Sequence, residues 1–423
     1  MKLSKYIKEI QLNPEEIMLY NTLSREYSVF SSEEIEKIRT LIENLSKSSF
    51  SEKEATLVKT LFEKGLVVGD DIDEYKKLEY LENKYYYQSE KFFLTIYTTN
   101  ACNFRCTYCT QAHVVKELED DVQKKIVEII EGLSKKKKQL HITWFGGEPI
   151  LQYKKIYELM EVADGICEKN GCKLSSNIVT NGYLLTDEML DHFSKLHIES
   201  MQITVDGGPE IHDKRRVLAG GKGTYEQVVT NVNKALSYGI KVVLRINVDE
   251  ETFQYPIKVL EDIREEYRGL ATVCISNLFQ DMGKNSTYSL YKRAIELGYL
   301  YGGRKNDYLG CTTCGNNSLV IDTNGDVRFC TTTDECECVV GKIEENGRIH
   351  YNNIEKHRQD LMLSSRENEA CRECIELPLC IGRCRKARVE NNSICMGRQN
   401  DGLLLEERAR LDYFYDQKRG VDV

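Results

Sequence analysis

Three cysteines stand close together at Cys102, Cys106 and Cys109, in the run Thr99-Asn100-Ala101-Cys102-Asn103-Phe104-Arg105-Cys106-Thr107-Tyr108-Cys109. Thiolates crowded on one loop can ligate three irons of a cubane and leave the fourth open, where a substrate or cofactor can chelate. Their C-x3-C-x2-C spacing differs from the paired C-x2-C of zinc ribbons. Ten of the sixteen cysteines lie farther on, between Cys311 and Cys395. Cys311 and Cys314 come first and Cys330 follows a hairpin signal, after which Cys371, Cys374, Cys380, Cys384 and Cys395 run as C-x2-C-x5-C-x3-C-x10-C. In a reducing compartment such clusters read as metal or redox sites, and a pair of zinc sites with four thiolates each is the plain alternative. Cys336 and Cys338 are open to three readings, a replacement ligand, an acid near the substrate or, the first choice, reduced loop thiols, while Cys167 and Cys274 read as core residues and His113 and His141 as hydrogen-bonding residues bordering the site.

The elements that must position these residues alternate. Strand-like runs are expected at Phe92–Tyr97, Leu140–Phe145, Lys173–Thr180, Met201–Val205, Lys241–Val248 and Thr272–Leu278. Between them the apolar spacing is helical, as in Val122, Ile126, Ile129, Ile130 and Leu133, or Ile156, Leu159, Met160, Ala163 and Cys167. Six strand-helix units imply a parallel α/β sheet with right-handed crossovers, curled into an incomplete barrel. Site residues then belong at the carboxyl ends of the strands, and the cysteine loop follows the first strand directly. Further on, Asn324-Gly325 between Leu319–Ile321 and Val327–Phe329 predicts a type I′ hairpin that returns Cys330 toward Cys314.

Ahead of the barrel, short strand-like runs at Tyr6–Gln11 and Ile17–Tyr20 flank the turn signal Asn13-Pro14. Ser31 with Glu34 and Ser51 with Glu54 predict two capped helices, the second stopping at Gly65 before the strand-like Leu66-Val67-Val68. A hairpin, two helices and a strand make a winged-helix-like unit, and the polar, Tyr-rich stretch Glu74–Lys91 reads as its linker. The expected division is residues 1–90, 91–303 and 304–423. With 41% hydrophobic residues and a formal charge of −9, the chain can bury a core and offers no basic footprint for nucleic acid. It shows neither a signal-peptide h-region nor an 18-residue apolar run, so a cytoplasmic location away from membranes is expected.

With Tyr108 just before its last cysteine, the C-x3-C-x2-C loop resembles that of radical S-adenosylmethionine (SAM) enzymes. The resemblance implies a [4Fe–4S] cluster at Cys102, Cys106 and Cys109 that cleaves SAM to a 5′-deoxyadenosyl radical. Trp144-Phe145-Gly146-Gly147-Glu148-Pro149 is similar to the family's GGEP motif, in which the backbone and the acid receive the methionine amino group. By the same resemblance Asn177 faces the ribose, Arg245 and Asn247 lie where relatives bind the carboxylate, and Asp206 belongs to a strand-end signature with His212, Asp213 and Arg215. The later cysteines resemble the SPASM domain of peptide- and protein-modifying members. That implies one auxiliary cluster on Cys311, Cys314, Cys330 and Cys384 and another on Cys371, Cys374, Cys380 and Cys395, for three [4Fe–4S] clusters in all.

The implied architecture is a partial (β/α)6 radical SAM barrel, with the winged-helix-like module before it and the cysteine-rich SPASM domain after it. The N-terminal module resembles the recognition element of maturases of ribosomally made peptides, where a leader peptide pairs as an extra strand on a sheet edge. The expected function is therefore intramolecular cross-linking of a precursor peptide, a thioether first and a carbon–carbon or carbon–oxygen bond next. A flavodoxin- or ferredoxin-type protein is the implied electron donor. The alternative is an anaerobic sulfatase-maturating enzyme making formylglycine. Those place an Asp directly after the hairpin cysteine, where this chain has Thr331, with Asp334 three residues on. A different class, a non-catalytic iron–sulfur carrier or zinc-binding interaction protein, is opposed by the GGEP-like loop.

Overall fold

The computed structural model describes residues 1–44, 51–111, 114–254, 256–278, 286–303, 315–331, 338–362, 369–380 and 402–421. Ser31 and Ser51 each close a reciprocal capping box, accepting from the amides of Glu34 and Glu54 while those carboxylates accept from the serine amides. The helices they start, Ser32–Glu43 and Glu52–Glu63, turn Ile35, Ile38, Ile42 and Leu61 onto Leu19, Leu66 and Val67. The sheet beneath has three strands and not a hairpin alone. Strand β1 (Lys2–Leu3) pairs with β5 (Val67–Val68), while β2 (Ile7–Gln11), β3 (Glu16–Asn21) and β4 (Tyr27–Ser31) form an antiparallel sheet in that order. The sequence reading misses β4 because its five residues run straight into the capping box.

The expected linker is also corrected: Glu74–Tyr87 is a helix. Asp73 caps it, accepting from the amides of Tyr75 and Lys76, and its buried stripe is Glu74, Leu78, Glu82 and Tyr86. Two acids in that stripe dilute the apolar periodicity on which the sequence reading relies. Glu74 is tolerated in the interior because its carboxylate accepts from Ser4 Oγ at 2.5 Å and Lys5 N at 2.8 Å.

The six expected barrel strands appear as β6 (Lys91–Thr99), β8 (Gln139–Gly146), β9 (Lys173–Thr180), β10 (Ile198–Thr204), β12 (Lys241–Val248) and β13 (Ala271–Asn277). Each is parallel to its neighbours in the order β13-β12-β10-β9-β8-β6, and β14 (Leu300–Tyr301) extends the far end. Alternation along the strands separates two faces. One set, including Ile142, Trp144, Ile178, Met201, Ile203 and Leu244, is buried in the main core with Ile126, Ile156, Leu159 and Val232 of the helices. The other set, His141, Thr143, Asn177, Gln202, Arg245 and Cys274, is only half-buried. Cys274 thus belongs to the half-buried side, while Cys167 lies in the core as expected.

The C-terminal hairpin continues this sheet. Strand β15 (Ser318–Ile321) runs parallel to β6, followed by antiparallel β16 (Asp326–Arg328), β17 (Val339–Ile343) and β18 (Ile349–Tyr351), making an 11-stranded sheet. The turn before β16 is not type I′, which needs positive φ at both central residues. Gly325 alone has positive φ there, at 84°, and its amide donates to Asp322 O at 3.0 Å, the pattern of a type I turn followed by a left-handed glycine. Finally the helix Leu405–Lys418 returns to the N-terminal sheet, where Tyr20 Oη donates to Asp412 at 2.8 Å and Tyr27 Oη to Asp416 at 2.6 Å.

Candidate active site

The cysteine loop leaves β6 and is gripped from two sides. On one side, strand β7 (Phe104–Cys106) pairs antiparallel with β11 (Arg216–Leu218), which sets Cys106 opposite Arg216. On the other, the end of β8 presses onto the loop's entry. The amides of Gly147 and Glu148 donate to Thr99 O and Ala101 O, both at 2.8 Å. A Cβ on Gly146 or Gly147 would run into those same carbonyls, and Gly146 has φ 136°. The two glycines therefore let the GGEP-like turn lie against the cysteine loop itself.

Cys102 and Cys106 are half-buried and Cys109 is exposed. Burial pushes the Cys102 thiol up to about 12, with Glu148, Cys106 and Cys109 adding to the rise. Burial likewise raises Cys106, while Arg216 lowers it. Such thiols ionise by binding metal. The amide of Phe104 already donates to Cys102 Sγ at 3.3 Å, a bond that suits a thiolate bound to iron. Among the described residues no three Cys, His, Asp or Glu side chains close on a single-ion position.

Glu148 is 1% exposed and wholly engaged by protein: its carboxylate accepts from Thr180 Oγ1 at 2.6 Å, Asn181 N at 2.7 Å and Ile150 N at 3.1 Å. Burial raises its pKa and these bonds oppose the rise. The acid fixes the turn between two strand ends. Asn177 sits one strand away, its Oδ1 meeting His141 Nε2 and Thr143 Oγ1, each at 2.8 Å. Burial lowers the His141 pKa, and the ring is the hydrogen-bonding residue expected, meeting Ser175 Oγ as well as Asn177. Both contacts to Asn177 use Oδ1 and leave its amide nitrogen as a donor.

Tyr108, Asp206, Arg245 and Asn247 meet in one network. Tyr108 Oη donates to Asp206 and accepts from Arg216 Nη1 at 2.7 Å and Asn247 Nδ2 at 3.2 Å. The other Asp206 oxygen accepts from Asn247 N at 2.9 Å, and Arg245 Nε donates to Asn247 Oδ1 at 3.0 Å. Below them His212, fully buried, accepts on Nδ1 from Asp206 N at 3.2 Å. The sequence reading misses Arg216. It ends the signature at Arg215, which does border the network, with Nε 3.9 Å from Asp206 and the guanidinium 5.0 Å from the Tyr108 ring centroid, and which also bonds Thr252 and lies near Asp249. The antiparallel pairing that brings Arg216 to the cluster loop spans a separation no local pattern reveals.

Of the later cysteines, Cys371 and Cys374 lie on one turn, with Cys374 N donating to Cys371 O at 3.1 Å, and Cys380 ends the short helix Leu377–Cys380 that follows. Cys371 and Cys374 pack against a small core of Tyr6, Leu23, Leu78 and Leu377, and Thr22 Oγ1 donates to Ile375 O at 2.5 Å. The first 90 residues thus touch this turn directly. Cys330 is half-buried at the end of the hairpin, and Cys338 is buried. Cys311, Cys314, Cys336, Cys384, Cys395, His113 and Asp334 lie outside the described residues. Among the described residues no helix is long and apolar enough to cross a membrane.

The profile described as the radical SAM superfamily matches residues 96–263. A cysteine-type anaerobic sulfatase-maturating enzyme of Clostridium novyi (strain NT) is 24% identical over 328 residues, covering 69% of this chain and 86% of that protein. Among solved structures, native anSMEcpe with bound AdoMet and a peptide is similar in fold at TM-score 0.56 and 18% identity, over 78% of this chain and 97% of that one. The Streptococcus suis protein SuiB, bound to precursor peptide SuiA, is similar at TM-score 0.52 and 14% identity, over 93% of this chain and 97% of that one.

Proposed function

This chain is a radical SAM superfamily enzyme, and we propose that it matures a ribosomally made precursor peptide by an intramolecular cross-link. The observation that carries the reading is the N-terminal sheet. Strands β2 and β4 each have one strand neighbour among the described residues, so outward backbone groups can pair with an added leader strand. The likeness to peptide-bound SuiB extends over more of the chain than the likeness to anSMEcpe, which supports the same choice.

When bound, SAM and the cluster supply reductive cleavage of a sulfonium to a carbon radical that takes a hydrogen atom from an unactivated carbon. The chain's own residues orient these groups. Cys102, Cys106 and Cys109 hold the iron, and the Gly146–Gly147 backbone, pinned by Glu148, receives the methionine ammonium. Asn177 directs its amide donors at the ribose, and Arg245, steadied by Asn247, pairs with the carboxylate. The later cysteines, Cys330, Cys371, Cys374 and Cys380 among them, would hold the auxiliary clusters, which would supply an acceptor for the second electron, and a flavodoxin- or ferredoxin-type protein would serve as donor to the barrel site. A thioether is the first bond to test, with carbon–carbon and carbon–oxygen next.

The second reading, formylglycine formation in a protein Cys or Ser, is favoured by the likeness to the Clostridium novyi enzyme. Against it stands Thr331, which carries no acid and whose carbonyl accepts from Tyr97 Oη at 3.2 Å. Mass spectrometry of a co-expressed precursor, after thiol alkylation, decides between them. The cross-linked product weighs two hydrogens less than the precursor and, if a thioether, has one fewer alkylatable thiol. A formylglycine product puts the second reading first.

A further inference from the structure

We propose that Arg216 is a potential-setting cation for the three-cysteine site: its buried guanidinium stabilises the reduced state of the cluster held by Cys102, Cys106 and Cys109. The inference rests on the cluster reading above. Arg216 is 7% exposed and lies directly opposite Cys106 in the β7–β11 pair. Its guanidinium carbon stands 5.6 Å from the centroid of the Phe104 ring, and Nη1 donates to Tyr108 Oη at 2.7 Å. Nε is buried with no hydrogen-bond partner. Among the described residues no carboxylate lies within 4.0 Å of it. Asp206, the acid in its network, meets Tyr108 with one oxygen, which also lies 3.9 Å from Arg215 Nε, and the Asn247 amide with the other.

A guanidinium withdrawn from water without an anion is strongly disfavoured. A cubane on three thiolates is a net anion and gains another negative charge on reduction. Placed at Cys106 it supplies the missing partner, and the attraction grows on reduction. The consequence is a reduction potential raised by Arg216 within a water-poor site, which eases electron entry from a protein donor. Tyr108 then does two things at once, holding the guanidinium in place with its hydroxyl oxygen while donating its own proton to Asp206.

The test is potentiometry of the reconstituted full chain followed by electron paramagnetic resonance, with and without SAM. The barrel cluster is the one whose signal changes when SAM is added. In Arg216→Gln its midpoint should shift to more negative potential, with iron content and melting temperature as controls. Arg216→Lys, which keeps the charge, should return the midpoint to near the wild-type value at neutral pH, then let it fall as the lysine deprotonates. An unchanged midpoint in the Gln variant, or an equal shift in the Lys variant, overturns the proposal. If the Gln variant does not retain its iron, the pH dependence of the Lys variant decides: a midpoint that follows no lysine titration overturns it. Weakened SAM binding with an unmoved midpoint would instead make Arg216 a SAM contact. The absence of any SAM-responsive signal in the wild type would overturn the cluster reading itself.

Discussion

Replacing Leu78 by Ala should open the turn that carries Cys371 and Cys374 while leaving the barrel cysteines as they were. Leu78 is 0% exposed and joins Tyr6, Leu23 and Leu377 in the core against which that turn rests. Truncating a buried leucine costs about 2–5 kcal/mol, depending on how far the site collapses. If about 2 kcal/mol of this falls on local opening, the opening equilibrium rises about 30-fold. The assay is timed alkylation of metal-free protein, read peptide by peptide in a mass spectrometer. Cys371 and Cys374 should react about 30-fold faster than in the wild type, and Cys102 and Cys106 at their original rates. Unchanged rates at Cys371 and Cys374 would refute the packing argument. An equal rise at Cys102 would show global unfolding and refute its locality. The same reasoning predicts that a chain lacking residues 1–87 keeps the barrel cluster but loses iron from the C-terminal site to a chelator.

Anaerobic reconstitution should give about twelve irons per chain, and replacing Cys102, Cys106 and Cys109 by Ala should remove about a third of them with all SAM cleavage; full-occupancy zinc at the later cysteines would contradict this. Glu148→Gln sets an amide nitrogen among three donors and should lower stability by about 1–3 kcal/mol and weaken SAM binding, as read by thermal unfolding and calorimetry. His212 has its pKa lowered from 6.5 to about 3 by burial, with Arg216 and Arg215 adding. The unfolded chain therefore takes up a proton below pH 6.5 that the folded chain refuses. Stability is intact above that pH and erodes as pH falls toward the folded value, a slope in urea midpoints that His212→Gln should flatten.

The barrel was legible because strand and helix periods alternate cleanly from Phe92 onward, and observed boundaries fall within a few residues of expectation. The cysteine loop and Gly146-Gly147-Glu148 were legible as short contiguous patterns. What the patterns did not carry was reach across the chain. The network on Tyr108 joins residues from the cysteine loop and from β12, and Arg216 enters it through a strand pair of three residues on each side. The helix Glu74–Tyr87 was hidden by its buried acids Glu74 and Glu82, and the Ser4 and Lys5 partners that satisfy Glu74 lie about 70 residues away. The Asn324-Gly325 dipeptide announced a hairpin correctly, but the turn type depended on the φ of Asn324, which the dipeptide does not fix.

The return of the helix Leu405–Lys418 to the N-terminal sheet has a consequence for biogenesis. Tyr20 and Asp412 are separated by 392 residues, so at ribosomal speed the first waits about 20–80 s for the second. Through that interval the sheet face bearing Ile10, Met18, Tyr20 and Tyr27 has no Leu405 or Ala409 to cover it. The nascent module is an uncovered apolar face joined to unpaired strand edges, the combination most prone to sticking to another chain. Completion of the helix Leu405–Lys418, and not emergence of the first strands, is what covers this second face of the N-terminal sheet.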